Sequence, residues 1–229
     1  MSETLLRLQA ISKVFEETGA RIELFRDLDF DLHVGDFVSI TGASGVGKST
    51  LLHILGLLES PSQGEVFFRG VAASTLSDAR LSAIRNGEIG FIFQFHHLLP
   101  DLTVWENVLL PLRIAGDMSK GSDLARKLLT RVGLDARLEH LPSQLSGGER
   151  QRAALVRALV RNPKILLCDE PSGNLDVKNS ENLHSILADM NETLGVSVLV
   201  VTHDLSLAAM AKQKLVLRGG RLVPMSEAP

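Results

Sequence analysis

Phe37-Val38-Ser39-Ile40-Thr41-Gly42-Ala43-Ser44-Gly45-Val46-Gly47-Lys48-Ser49-Thr50-Leu51-Leu52-His53-Ile54-Leu55 is the stretch from which the rest of the chain can be read. The apolar run Phe37 to Ile40 predicts a strand buried on both faces, and Ser49 to Leu55 predicts an apolar helix. Between them, Gly42 to Ser49 fits the pattern G-x-x-x-x-G-K-[ST]. A strand, a glycine loop and a helix in that order let backbone N–H groups converge on a polyphosphate, while the helix N-terminus adds partial positive charge. Lys48 is placed to reach the β- and γ-phosphates and the Ser49 hydroxyl to ligate Mg²⁺, with the cradle running from Gly42 to Thr50. An ordinary glycine-rich turn is the bland alternative; the buried strand before and the apolar helix after favour the phosphate loop.

Working outward toward the N-terminus, Leu28, Phe30, Leu32 and Val34 alternate with Asp29, Asp31 and His33, the period of an antiparallel strand with one wet face. Toward the C-terminus, residues from about Ser77 to Asn162 read as mostly helical. Thr103 and Glu106 have capping-box spacing and open a helix at Val104, which Pro111 should kink or end. The α/β alternation resumes with a short apolar strand from Ile165 to Cys168. A helix then presents Leu183, Ile186, Leu187, Met190 and Leu194 on one face and closes at Gly195. Val196 to Val201 predicts a further strand, and Gly219-Gly220 a hairpin turn between two more. The inference is an α/β core interrupted by a helical insert.

Two further segments carry chemistry. The strand from Ile165 ends in adjacent carboxylates: Asp169 is the expected Mg²⁺ partner, and Glu170 is placed to polarise a water attacking the γ-phosphate. Solvated acids at strand ends are common, but a Mg²⁺-nucleotide loop elsewhere in the chain needs such a carboxylate. Cys168 reads as a small core residue. Leu145-Ser146-Gly147-Gly148-Glu149-Arg150-Gln151 starts another capped helix, since Ser146 and Glu149 have capping-box spacing. Gly147 and Gly148 fall in its first turn, where each costs up to about 1 kcal/mol relative to alanine. Their presence points to close approach of a second anion-binding surface.

The phosphate loop, Ser146-Gly147-Gly148-Glu149-Arg150-Gln151 and Cys168-Asp169-Glu170-Pro171, in this order, resemble the nucleotide-binding subunit of ATP-binding cassette (ABC) transporters over nearly the whole chain. The resemblance implies a P-loop NTPase (RecA-like) α/β core with an N-terminal antiparallel β subdomain and an inserted α-helical subdomain. It implies one domain over residues 1–229, with the core at about 1–94 and 161–229 and the insert at about 95–160. It also implies ATP and Mg²⁺ as ligands and hydrolysis as the activity. Gln94 becomes the glutamine that senses Mg²⁺ and links core to insert, Asp176 the acidic residue of Ser172-Gly173-Asn174-Leu175-Asp176, and His203 the switch histidine at the γ-phosphate. Without the family, His203 is a lone histidine after a strand. The adenine-stacking aromatic of the family is usually tyrosine, which this chain lacks; Phe15 matches the position, where a phenyl ring can stack without the hydroxyl. Two chains pair head to tail in this family, so Ser146, Gly147 and Gly148 of one face the phosphate loop of the other.

Gly90 to Val108, with Phe95-His96-His97-Leu98-Leu99-Pro100 at its centre, resembles the ATP-binding subunits of bacterial lipoprotein-releasing systems. That resemblance implies transmembrane permease subunits as partners, a lipoprotein handled through them, and a place on the cytoplasmic face of the inner membrane. Phe95, Leu98, Leu99 and Trp105 lie where membrane partners dock, although most of that cluster reads equally as core. Macrolide-exporter and cell-division ATPases share the Ser-Gly-Asn-Leu-Asp loop and are the alternatives.

Composition sets limits on the other readings. The 229 residues are 45% hydrophobic and 22% charged, enough apolar material for a buried core. Lys+Arg 24 against Asp+Glu 27 leaves a net charge of −3, which argues against nucleic acid as a partner. The single cysteine excludes an internal disulfide. No apolar run approaches the roughly 18 to 20 residues that span a bilayer, and charges among the first twenty residues argue against a signal peptide. An Asn-Lys-x-Asp base-reading motif of GTPases is absent, and a regulatory module without hydrolysis would be expected to lack Glu170 or His203.

Overall fold

Alternating burial along residues 28–33 and unbroken burial along 37–41 divide the N-terminal region between two kinds of sheet. The computed structural model describes residues 3–17 and 20–227. Strands β1 (Thr4–Glu17) and β2 (Ala20–His33) pair antiparallel, with Leu6 opposite Leu32 and Leu8 opposite Phe30. β2 begins before the predicted stretch and stops one residue before Val34, which is exposed ahead of the Gly35-Asp36 turn. β3 (Phe37–Thr41), buried throughout, leads through the glycine loop into α1 (Lys48–Leu55). β4 (Gln63–Phe68) and β5 (Val71–Ala72) complete an antiparallel sheet of order β2-β1-β4-β5.

After α2 (Asp78–Glu88), the chain enters a strand without an intervening turn, β6 (Ile89–Ile92). The region read as mostly helical therefore contains one strand of the central sheet. Helices α3 (Val104–Ala115), α4 (Met118–Arg131) and α5 (Gly147–Leu159) follow. The predicted capping box opens α3, with the Glu106 N–H donating to Thr103 Oγ1 at 3.2 Å. Pro111 does not end it: α3 continues to Ala115 and stops at Gly116, a left-handed residue whose N–H reaches the Leu112 and Arg113 carbonyls. An interior proline costs a helix about 3 kcal/mol, whereas each fully buried Val or Leu contributes about 1.5–3 kcal/mol. Val108, Leu109 and Leu112 are all buried around it, so packing outweighs the lost hydrogen bond.

The remaining elements are β7 (Ile165–Asp169), α6 (Val177–Leu194), β8 (Ser197–Val201), α7 (Leu205–Met210), β9 (Gln213–Arg218) and β10 (Arg221–Pro224). They join β3 and β6 in a six-stranded sheet of order β10-β9-β3-β8-β7-β6, parallel except for the final hairpin. Period-two alternation sorts its side chains. Ile165, Leu167, Leu199 and Val201 join the core beneath α1 and the antiparallel sheet, while Leu166, Cys168, Val198 and Val200 join the core shared with α3, α5 and α6. Among the described residues no helix is long and apolar enough to cross a membrane.

Asn107, fully buried on α3, holds the preceding loop. Its Oδ1 accepts from the Leu99 N–H at 2.8 Å, and Nδ2 donates to the carbonyls of Leu99, Leu102 and Thr103 at 2.9–3.0 Å. Removing the amide leaves several polar groups without partners, so Asn107→Ala is expected to destabilise the fold by about 2–4 kcal/mol. Urea unfolding that gives an unchanged slope and a lower midpoint would bear this out; a midpoint equal to wild type would contradict it.

Candidate functional site

The phosphate loop owes its shape to close backbone packing. Gly42 has φ 151°, and a Cβ there would lie 2.6 Å from the Leu217 carbonyl oxygen of β9. Gly47, at φ 102°, precedes α1 and leaves its first N–H groups without a side-chain cap, a helix terminus suited to an anion. Lys48 folds back over the loop, its Nζ donating to the Gly42 and Ala43 carbonyls at 3.0 Å each. The ammonium thus sits above a ring of backbone, where a phosphate would meet it.

Around this loop the topology assembles a cleft of about 450 Å³ lined by Leu24, Ser44, Gly45, Gly47, Lys48, Ser49, Thr50, Gln94, Glu170 and His203. Residues from the loop and from the ends of β6, β7 and β8 meet there, at the carboxyl ends of parallel strands where α/β sheets bind ligands. A larger depression, about 580 Å³, is lined by Glu16, Arg21, Glu23 and Arg26 among others, but holds none of the motif residues. Size alone does not locate the site.

At the end of β7, burial pushes the Asp169 carboxyl above the usual carboxylate range, opposed by a hydrogen bond with Ser49 and by His53 and Lys48. A desolvated carboxylate beside a serine hydroxyl and a phosphate loop fits Mg²⁺, which binds through one or two protein oxygens plus phosphate rather than in an all-protein cage. No cluster of three or more His, Cys, Asp or Glu forms a metal cage among the described residues. Cys168, fully buried beside it, has its thiol pushed far above the ordinary range by desolvation; it is a core residue.

Glu170 adopts a left-handed backbone at φ 45°, a conformation costly for a non-glycine and found at functional sites. Its Oε2 accepts from Thr202 Oγ1 at 3.1 Å and from the His203 N–H at 3.1 Å, and lies 2.9 Å from His203 Nδ1. Glu170 and His203 are therefore in direct contact. Thr202, fully buried, escaped the sequence reading because nothing in its local pattern marks it. Leu24 of β2 was missed for the same reason, whereas Asn174 stood within the Ser172 to Asp176 motif and only its contact with Gln94 went unread. Gln94 and Asn174 make a reciprocal pair: Gln94 Nε2 donates to Asn174 Oδ1 at 3.3 Å, and Asn174 Nδ2 to the Gln94 carbonyl at 3.2 Å.

Ser146, Gly147 and Gly148 do not line this cleft. They start α5, where the Ser146 hydroxyl accepts from the Glu149 N–H at 3.2 Å and Glu149 Oε2 accepts from the Ser146 N–H at 2.8 Å. That backbone hydrogen bond, aided by the Ser146 hydroxyl and Arg137, holds the Glu149 carboxyl down at about 2. Because the folded value is depressed, the stabilisation is present above the ordinary glutamate value and is lost as pH falls toward 2. A side chain at Gly148 would collide with the Asn179 amide. Asp176 also serves as a cap, its Oδ1 accepting from the Asn179 N–H at 2.9 Å at the start of α6.

α5 also grips the segment around Gln94. Gln151 Nε2 donates to the Phe93 carbonyl at 2.8 Å, and Arg157 to those of His96 and His97 at 2.9 and 2.6 Å. Within that segment Leu98 is buried and Trp105 packs on the core, whereas Phe95 and Leu99 are exposed, 65% and 45%. Phe15 is exposed on β1 with the Lys13 ammonium 4.9 Å from its ring centroid, so it is not a core residue.

Known proteins are similar to this chain along nearly its whole length. The family model described as ABC transporter matches residues 25–173. A protein of Idiomarina loihiensis named lipoprotein-releasing system ATP-binding protein LolD is 44% identical over 97% of this chain and 98% of its own. Its namesake in Bordetella pertussis is 49% identical over 96% and 95%. Among solved structures, the ATP-binding cassette MJ0796, a dimer in a post-hydrolysis state bound to ADP and phosphate, matches with a TM-score of 0.86 at 37% identity, over 95% of this chain and 96% of that one. A family model that spans more than half the sequence, relatives matched almost end to end and a shared fold lead to one conclusion: the chain belongs to the ABC transporter family, as an ATP-binding cassette.

Proposed function

We propose that this chain is the ATP-hydrolysing subunit of a transporter that releases lipoproteins from the bacterial inner membrane. The observation that carries this reading is the 44–49% identity, along nearly the full length, to ATP-binding proteins of lipoprotein-releasing systems. The chain works at the cytoplasmic face, bound to transmembrane permease subunits through the segment from Phe95 to Val108. Phe95 and Leu99 are its exposed apolar members.

In this reading the loop from Gly42 to Thr50 binds the polyphosphate, with Lys48 exchanging its carbonyl partners for phosphate oxygens, and Phe15 stacks on the adenine. Ser49, Asp169 and Gln94 would hold Mg²⁺, which supplies charge compensation on the phosphates. Glu170 takes the proton of the attacking water. Its three contacts converge on Oε2, which fixes the carboxylate and leaves Oε1 to accept that proton. His203, held against Glu170, contacts the γ-phosphate. Ser146, Gly147 and Gly148 complete the site of a second copy, with Asp176 at the same interface, so that the catalytic unit is a dimer.

The test is co-purification of the tagged full chain from detergent-solubilised membranes, combined with depletion in cells. Permease subunits in the eluate and lipoproteins retained in the inner membrane are expected. Recovery of a cell-division membrane protein, with septation blocked and lipoprotein sorting intact, would replace this reading.

A further inference from the structure

α6 carries a buried histidine that the site reading leaves without a role. His184 is 3% exposed, and both ring nitrogens face side chains of other elements. Nε2 lies 2.9 Å from Ser172 Oγ, in the segment between β7 and α6, and 3.5 Å from Asp204 Oδ2. Nδ1 lies 3.4 Å from Ser206 Oγ, in the first turn of α7. A histidine buried only to fill space would be replaced more cheaply by an apolar residue of similar size, because each buried ring nitrogen demands a partner.

The hydrogen bonds fix their own direction. The Ser206 hydroxyl donates to Asp204 Oδ1 at 2.7 Å, so its lone pairs remain for a proton on Nδ1. In the neutral ring, Nε2 is then the acceptor and the Ser172 hydroxyl the donor. From Asp204 the path continues: its N–H donates to Thr202 Oγ1 at 3.0 Å, and Thr202 Oγ1 donates to Glu170 Oε2 at 3.1 Å. Ser172 is only two residues after Glu170. The path therefore closes on itself, from Glu170 through Thr202, Asp204, Ser206, His184 and Ser172, and His184 is its member from α6.

We propose that His184 is a positioning residue that ties Ser172, ahead of Asp176, to the turn carrying His203, so that the two loops beside Glu170 adopt one joint geometry. The inference rests on the reading of Glu170 and His203 given above. Burial lowers the affinity of the ring for a second proton, against the pull of Asp204 on the facing turn and Glu181 on the same helix, and the neutral ring keeps the donor order just derived. Protonation would reverse it, turning Nε2 into a donor toward Ser172 and Asp204. The phosphate loop lies outside the path, so ATP binding should not depend on it.

Steady-state hydrolysis by purified full-length His184→Phe, His184→Gln and His203→Ala tests this. His184→Phe keeps the bulk and loses the polar contacts; kcat is expected to fall about fivefold or more with KM for ATP within about twofold. Glutamine presents an amide near the Nε2 position, and His184→Gln is expected to recover kcat to within about twofold of wild type. A role in packing alone would instead spare the phenylalanine variant, and wild-type kcat in His184→Phe overturns the proposal. Equal losses in both His184 variants, matched by equal drops in melting temperature, overturn it too. His203→Ala separates the two readings: an active His203→Ala removes His203 from the site, whereas an inactive one alongside a normal His184→Phe leaves the site reading standing and removes the positioning role of His184 alone.

Discussion

Glu170→Gln is expected to bind ATP with wild-type affinity and to hydrolyse it at least about a hundredfold more slowly. The substitution is close to isosteric, and the amide oxygen can still accept from Thr202 and from the His203 N–H, the contacts that now hold Oε2. The strained backbone at this residue is therefore retained, and only the capacity to take a proton from water is lost. Binding depends on the loop around Lys48, whereas the hydrogen bonds of Glu170 run to Val201, Thr202, His203 and Gly173. Equilibrium nucleotide binding and phosphate release measured on the same preparation separate the two effects. Turnover near wild type would remove Glu170 from the mechanism.

Ser146→Arg should abolish hydrolysis almost completely while a single chain still binds ATP. Ser146 is exposed at the start of α5 and takes no part in lining the cleft of its own chain, so bulk added there can obstruct only a site formed with another copy. Part of the effect could come from the lost cap, worth about 1 kcal/mol; Ser146→Ala removes the cap without the bulk and measures that share. Mixing Ser146→Arg with Lys48→Ala, each inactive alone, should restore activity. Half of randomly formed dimers are mixed and one of their two sites is intact, so recovery of up to about a quarter of wild-type turnover is expected. Full activity of Ser146→Arg by itself would exclude a composite site.

The parts of this molecule that were legible in its sequence are those in which chemistry dictates local pattern. A backbone that must cradle phosphate needs glycines at fixed spacing, and a helix that starts at Ser146 or Thr103 needs its acidic residue three positions on. Tertiary context decided the rest. β6 follows α2 with no turn residue between Glu88 and Ile89, so four apolar residues looked like more helix until β7 paired with them. Pro111 obeys packing rather than its own preference. Leu24 reaches the cleft from β2, and the buried Thr202 reaches Glu170 from the end of β8; no local signal distinguishes either from its neighbours. Phe15 reads from the sequence as an adenine-stacking ring rather than a core residue, and its exposure excludes the core.

The grip of α5 on the segment around Gln94 bears on how the proposed docking surface could be altered. Gln151 and Arg157 hold carbonyl oxygens of Phe93, His96 and His97, not their side chains. Thirteen helical residues form a strut about 20 Å long, with Ser146 at one end and the outward-facing segment clasped along its length. On the docking role proposed above, motion would be handed over through the main chain, which every substitution leaves in place, while the exposed side chains of Phe95 and Leu99 would display identity. Under that proposal, substitution of the exposed side chains would alter what the segment recognises and leave the main-chain linkage to α5 in place.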